Sequence, residues 1–202
     1  MVQKTLTISL AVIAVAIIGT VIGLNEYQDT PTYKPGLLPP PDPILNSFVG
    51  ERVTDLKEAA LKSGNAKITP TYLPAGYEVR AIQYVADEKR VGMLISKYPV
   101  TEDTTIQDFI WKQQGIGIDI APVVKNFNAE DLVSNWSQRA PTKHLVIDGK
   151  DIIYHEIIEG IGTDGEIAHS PAELTMVDGN TAVDMSGFIS GDEMIKIAKS
   201  IK

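Results

Sequence analysis

Three histidines, one glycine-rich run and a scatter of carboxylates are the residues of this chain that could do chemistry. Gly160-Ile161-Gly162-Thr163-Asp164-Gly165 has the spacing of a dinucleotide fingerprint and follows an expected strand. That fingerprint needs a helix next, because the first-turn amides must hold the pyrophosphate. Here Glu166-Ile167-Ala168-His169-Ser170-Pro171 follows, and Pro171 stops a helix within two turns. A glycine loop between strands is the expectation. His144 and His155 are candidate metal ligands, with His169 as a third histidine elsewhere. A hairpin turning at Gly149-Lys150 would set His144 and His155 directly opposite each other, near Glu156 and Glu159. The favoured Asp148-Gly149 turn sets His144 opposite Ile153 instead. Ordinary strand-surface histidines are therefore expected, with no metal and no cofactor.

No Gly-x-Ser-x-Gly elbow and no His-Glu-x-x-His helix occurs. The carboxylates are dispersed, so any acid–base pair would be assembled only in space, and no catalytic residue is named. Cysteine is absent, which removes disulfides, thiol nucleophiles, Cys-ligated zinc and acylation of an N-terminal cysteine. Asn135-Trp136-Ser137 is a glycosylation sequon, but it falls in an expected helix with Trp136 facing inward.

Elements to position such residues follow from the pattern. The apolar fraction of 44% over 202 residues suits a packed core. Thr5 to Leu24 carries no charge and is rich in Ile, Val, Leu and Ala. As a helix, 20 such residues span about 30 Å, the thickness of a bilayer core. A retained transmembrane anchor is the expectation over a signal peptide cut after Ala14-Val15-Ala16, since that cut would leave an apolar stub. Lys4 precedes the segment while Glu26 and Asp29 follow it, which places residues 1–4 inside and the rest outside the cytoplasm. Beyond the anchor stand 17 basic and 26 acidic residues, a net of -9 that repels nucleic-acid backbones.

Residues 25–47 hold six of the twelve prolines, so neither helix nor central strand forms there. They read as a spacer reaching at most ~70 Å, or as a coat docked through Leu37, Leu38, Ile44 and Leu45. The domain is then 48–202. Its spacing predicts a helix over 48–64 ended by Gly64, strands around Asp87-Glu88, a helix over 105–115, and a helix capped by Asn128. Hairpins turn at Asp148-Gly149, running on to Gly160, and at Gly179-Asn180. A last helix has Ser190 and Glu193 in capping-box spacing, with Met194, Ile195, Ile197, Ala198 and Ile201 for burial. The sum is an α+β domain: an antiparallel β-sheet covered by helices on one face.

Two blocks carry a resemblance. Tyr72-Leu73-Pro74-Ala75-Gly76-Tyr77, and Leu174 through Asp178-Gly179, Ser186-Gly187, Ser190 and Glu193 to Ile197 and Ile201, resemble a prokaryotic domain family of unknown function. That family lies on the outer side of membrane-anchored, sporulation-associated and anti-sigma-type proteins. It is similar in architecture to the periplasmic lipoprotein carriers and the sigma-E regulatory lipid-binding protein. The resemblance covers residues 66–202, and the family often carries Trp where this chain has Met176. It implies architecture and no catalytic group. Read from the residues, Pro74 and Gly76 suit positions i+1 and i+3 of a type I turn, with Tyr72 and Tyr77 packing on either side.

The expected function is a membrane-anchored, extracytoplasmic interaction or sensory module whose partner is another envelope or membrane protein. The alternatives are a carrier or sensor of apolar ligands, such as acyl chains, and an envelope hydrolase. Protease added to intact cells should digest the domain, and mass spectrometry of the membrane-extracted protein should still find residues 1–24. Full protection until lysis would reverse the orientation, and a chain starting near Ile17 would replace the anchor with a signal peptide.

Overall fold

The computed structural model describes residues 50–100, 110, 113–123, 127–161 and 165–202. The expected anchor (5–24), the linker (25–47) and most of the expected helix over 105–115 lie outside them; Ile110 is helical and buried. Among the described residues no helix is long and apolar enough to cross a membrane.

Eight strands form one sheet in the order β1-β2-β3-β4-β10-β9-β6-β5, antiparallel throughout. They are β1 (Glu51–Arg52), β2 (Glu78–Val85), β3 (Arg90–Ser96), β4 (Gly115–Pro122), β5 (Thr142–Ile147), β6 (Lys150–His155), β9 (Ala172–Asp178) and β10 (Thr181–Gly187). A separate two-stranded ribbon pairs β7 (Ile158–Ile161) with β8 (Ile167–Ser170). Three helices among the described residues pack on the sheet: α1 (Leu56–Ser63), α2 (Ala129–Trp136) and α3 (Gly191–Ser200). The α+β class is as the pattern predicts.

Side chains alternate across each strand, and in-register partners share a face. On one face Met93, Ile118, Met185, Leu174 and Tyr154 run strand to strand, with Val91, Ile120, Val183, Met176 and Ile152 beside them. All ten are buried in one cluster, closed by Ala59 from α1 and by Met194, Ile197 and Ala198 from α3. The helices do not all share that face. α2 packs Leu132 and Trp136 on Ile153, which points opposite to its neighbours Ile152 and Tyr154. The expectation of helices on one face is corrected here, because an apolar residue out of phase with its strand gives the second face its own small core.

The helix expected over 48–64 starts later. Thr54 donates through its amide and hydroxyl to Glu58, and Asp55 Oδ1 accepts from the Glu58 amide at 2.8 Å. This cap ends the extended chain, and Glu51 and Arg52 pair with β2 instead. Val53 stays outside the helix, its amide bonded to Ile82 O, while Gly64 closes α1 at φ 69° as expected. The hairpin expected to run to Gly160 ends at His155, where β6 gives way to β7. β4 has no counterpart among the expected elements.

The two resembling blocks meet. Pro70 bridges to Ile201; Thr69 and Lys202 exchange amide–carbonyl bonds at 3.1 Å, and the Thr71 amide reaches Ser200 O. The Tyr72 hydroxyl donates to Glu193 at 2.7 Å, and Lys196 donates to the same carboxylate at 2.6 Å. Ser190 caps α3 by accepting from the Glu193 amide at 3.3 Å. The reciprocal half of the capping box is corrected, since the Glu193 side chain is held by Tyr72 and Lys196. The turn is corrected too. The Tyr77 amide bonds Pro74 O at 3.0 Å, so Pro74 is residue i and Gly76 is i+2 with φ 81°, a type II turn. Leu73 and Tyr77 pack against the main core, and Lys97 Nζ lies 5.0 Å from the Tyr77 ring centre.

Ile197 is fully buried among sheet residues, whereas the Ser190 cap lies at the surface. Ile197→Ala should therefore cost about 2–5 kcal/mol and Ser190→Ala only about 1 kcal/mol in urea titration of the protein. Equal costs would place Ile197 outside the core.

Candidate functional site

The face of the sheet that carries α2 is the chemically unusual one. Its middle row runs Gln83, Gly92, Asp119, Asp184, Thr175 and Ile153 across β2, β3, β4, β10, β9 and β6. Thus two aspartates stand directly opposite each other on neighbouring strands, side chains on the same face. Ser186 and Glu173 form the adjacent row, which continues through His155 to Thr142. None of Asp119, Asp184 or Thr175 is singled out by the sequence pattern, and Ser186 enters only as part of the second resembling block. The available signal was phase: in Ile116-Gly117-Ile118-Asp119-Ile120 and Val183-Asp184-Met185, each Asp alternates with branched or long apolar residues. That spacing puts an Asp on the face away from the core, and only pairing reveals that the two meet.

The geometry is that of a partly neutralised buried cluster. Asp184 is only 3% exposed and accepts from the Thr175 hydroxyl through Oδ1. Among the described residues its Oδ2 has no hydrogen-bond partner, nor does Ser186 Oγ. Asp119 keeps 18% of its side-chain surface, and Arg90 Nη1 lies 3.4 Å from its Oδ1. The arginine's Nε lies 2.9 Å from Glu88 Oε2, an ion pair whose alignment is too poor for a directed hydrogen bond. Gly92 leaves the room this needs, since a Cβ there would stand 3.1 Å from Asp119 Oδ1.

Burial pushes Asp119 up to about 6, against the pull of Arg90 and with help from Glu88. Burial also lifts Asp184 well above the carboxylate range; the Thr175 bond opposes this, and the charges of Asp119 and Glu173 add to it. An ionised carboxylate without a partner for one oxygen is costly in such a place, so burial favours the protonated form of Asp184. Two adjoining carboxyls with raised proton affinity are the chemistry the arrangement provides.

The histidines have separate roles. His144 stands opposite Ile153, as the Asp148-Gly149 turn predicts, with φ 55° and 75° at the two turn residues. His155 pairs with Thr142, one row further along the same face, so the two histidines are diagonal rather than opposed. His144 Nε2 is 2.8 Å from Asp151, His155 Nε2 is 3.3 Å from Glu173, and His169 Nε2 is 3.2 Å from Glu159. Each ring has its own carboxylate, and among the described residues no group of three or more ligating side chains converges for a metal. The Gly160–Gly165 run joins β7 to β8, so a strand rather than a helix follows it; residues 162–164 lie outside the described residues. Asn135 and Trp136 of the sequon end α2 and Ser137 caps it, with Trp136 buried as expected.

No family model matches the chain, and no curated protein matches it.

The carboxyl pair sets a pH dependence. A group whose folded pKa is raised stabilises fully below its unfolded pKa, and that stability is lost as pH rises. For Asp119 the window runs from 3.8 to about 6, worth up to roughly 3 kcal/mol. Asp184 acts in the same direction. Glu58, Asp178 and Glu193 shift the other way through bonds to Thr54, Lys150 and Lys196, but at the surface, where screening keeps their weight small. Urea stability should fall between pH 4 and pH 7, and Asp119→Asn and Asp184→Asn should each flatten that slope. An unchanged slope in both variants would show that neither group is buried as described.

Proposed function

We propose that the chain is a membrane-anchored, extracytoplasmic interaction module without catalytic activity, whose partner adds an extended segment to the outer edge of β5. The observation that carries this reading is the edge itself. Among the described residues β5 has a strand neighbour on one side only, and it runs for six residues. Its four central residues are exposed, Val146 at 67% and Leu145 at 37%. The opposite edge, β1, is two residues long and offers no comparable length. A free edge presents main-chain donors and acceptors in a row, the chemistry that strand addition uses for affinity, with exposed side chains supplying selectivity.

Other features favour the same class. Residues 5–24 are taken as the anchor, residues 25–47 as the stalk, and the charge order around them as outward-facing. A partner within reach of such a stalk is another envelope or membrane protein. The resemblance to outward-facing, membrane-tethered domains agrees with this. Carriage of an apolar ligand is less favoured, because Ile68, Met93, Ile118, Leu174, Met194 and Ile197 fill the contact between sheet and helices. Hydrolysis is less favoured because Asp119 is tied to Arg90, while Asp184 lies beneath the surface. The acidic balance argues against nucleic acid.

A photo-crosslinking residue at Val146 of the full chain, in native membranes, should give one discrete adduct; the same residue at Leu61, 76% exposed on α1, should give none. Leu145→Asp should abolish the adduct while changing stability by no more than about 0.5 kcal/mol, as for an ordinary surface site. Equal labelling at both positions, or an adduct that survives Leu145→Asp, would remove β5 as the docking edge.

A further inference from the structure

We infer that α2 is a proton-controlled latch: positively charged His155, pinned by Glu173, holds Trp136 against the sheet, and loss of its proton frees the helix. The charge follows from hydrogen-bond chemistry. Nδ1 lies 2.9 Å from the Glu156 carbonyl oxygen and Nε2 lies 3.3 Å from Glu173 Oε2. Both partners accept, so both ring nitrogens must donate, and an imidazole with two N–H groups is a cation. The Trp136 ring stands 5.5 Å from the imidazole, edge to face at 66°. Trp136 is also the last residue of α2 and, with Leu132, the buried anchor of that helix on Ile153.

The latch is small enough to open. Among the described residues, only Phe127, Ala129 and Val133 join Leu132, Trp136 and Ile153 in this second cluster, against the much larger set on the other face. When the ring loses a proton, one nitrogen turns a lone pair on an oxygen that also has only lone pairs. The ring must then turn or give up a partner, and Trp136 loses the surface it leans on.

The surroundings make the proton tenable. Burial works against the charged ring, but the hydrogen bond and charge of Glu173 and the Glu156 carbonyl outweigh it, and His155 is raised above its ordinary 6.5. Arg139, in the turn after α2, opposes them. The other titratable groups on this part of the face are the His144–Asp151 pair on β5 and β6 and Asp184 on β10, two residues along from Ser186, while Lys143 stands on the opposite face over Tyr154. The acidic residues of α2, Glu130 and Asp131, sit in its first turn, at the far end from Trp136. A raised histidine pKa means that docking of α2 is complete below the ordinary value and is lost as pH rises through the higher one. α2 rests on β5 as well as β6, so its release would alter the setting of the β5 edge. The latch itself does not depend on what pairs with that edge.

The chain has two tryptophans, Trp111 and Trp136, so Trp111→Phe leaves Trp136 as the sole reporter. In that full-length variant Trp136 emission should change in one transition between pH 5 and pH 9, with its midpoint above 6.5. His155→Gln should abolish the transition, and Glu173→Gln should move it to lower pH. In the unmodified chain, NMR titration of carbon-labelled histidine should give His155 the same midpoint. Hydrogen exchange should show α2 amides losing protection relative to those of β9 across it. Emission that is flat with pH, a midpoint unmoved by Glu173→Gln, or protection of α2 that is independent of the transition would each overturn the latch. None of these readings involves the β5 partner, so strand docking and the latch can fail separately.

Discussion

Across β3, β4, β10, β9 and β6, directly paired residues point to the same side of the sheet, so one choice of register decides both faces at once. The pairing that aligns Met93, Ile118, Met185 and Leu174 into a core is the pairing that sets Asp119 against Asp184 behind it. A slip of one residue anywhere in the centre would move carboxyls into the core and isoleucines out of it. The cost of burying Asp184 is tolerated because the apolar face yields far more on burial than one acid takes away.

The ends of the domain depend on the same sheet. α3 lies on β9 and β6, and the segment from Thr69 to Tyr72 is tied to the residues that close α3. Tyr72 and Glu193, more than a hundred residues apart in sequence, share one hydrogen bond. Gly191 makes the close approach of α3 to β6 possible, since a Cβ there would lie 2.6 Å from the Tyr154 ring. The two blocks that carry the family resemblance are therefore two halves of one clasp. Their residues hold the fold, and the buried groups with raised proton affinity, Asp119, Asp184 and His155, lie on the other face of the sheet.

Those groups share a sign. Asp119, Asp184 and His155 all hold protons more tightly in the folded chain than outside it. Each raised affinity favours the folded, docked state at lower pH, although the causes differ: burial for the aspartates, and a carboxylate partner that overcomes burial for the histidine. With the proposed extracytoplasmic placement, that face would meet external pH directly while the apolar face stays unchanged.

What the sequence determined by itself was local. Asp148-Gly149 and Gly179-Asn180 specify tight turns because few residues accept positive φ, and those turns then set their hairpins' registers, including His144 opposite Ile153. Asn128 and Ser190 mark helix starts because their side-chain oxygens reach amides two or three residues on. Other features needed contacts between distant segments. The start of the first helix moved because Glu51 and Arg52 found a strand partner about thirty residues away. The turn at Pro74 took its type from where the Tyr77 amide had to bond. β4 was not legible because its small residues, Gly115 and Gly117, are weak strand formers until neighbours pair with them on both sides. The meeting of Asp119 with Asp184, and of His155 with Glu173 and Trp136, was decided by tertiary structure alone. Local hydrogen bonds and dihedral preferences act over a few residues, whereas which strands become neighbours depends on burying one common face.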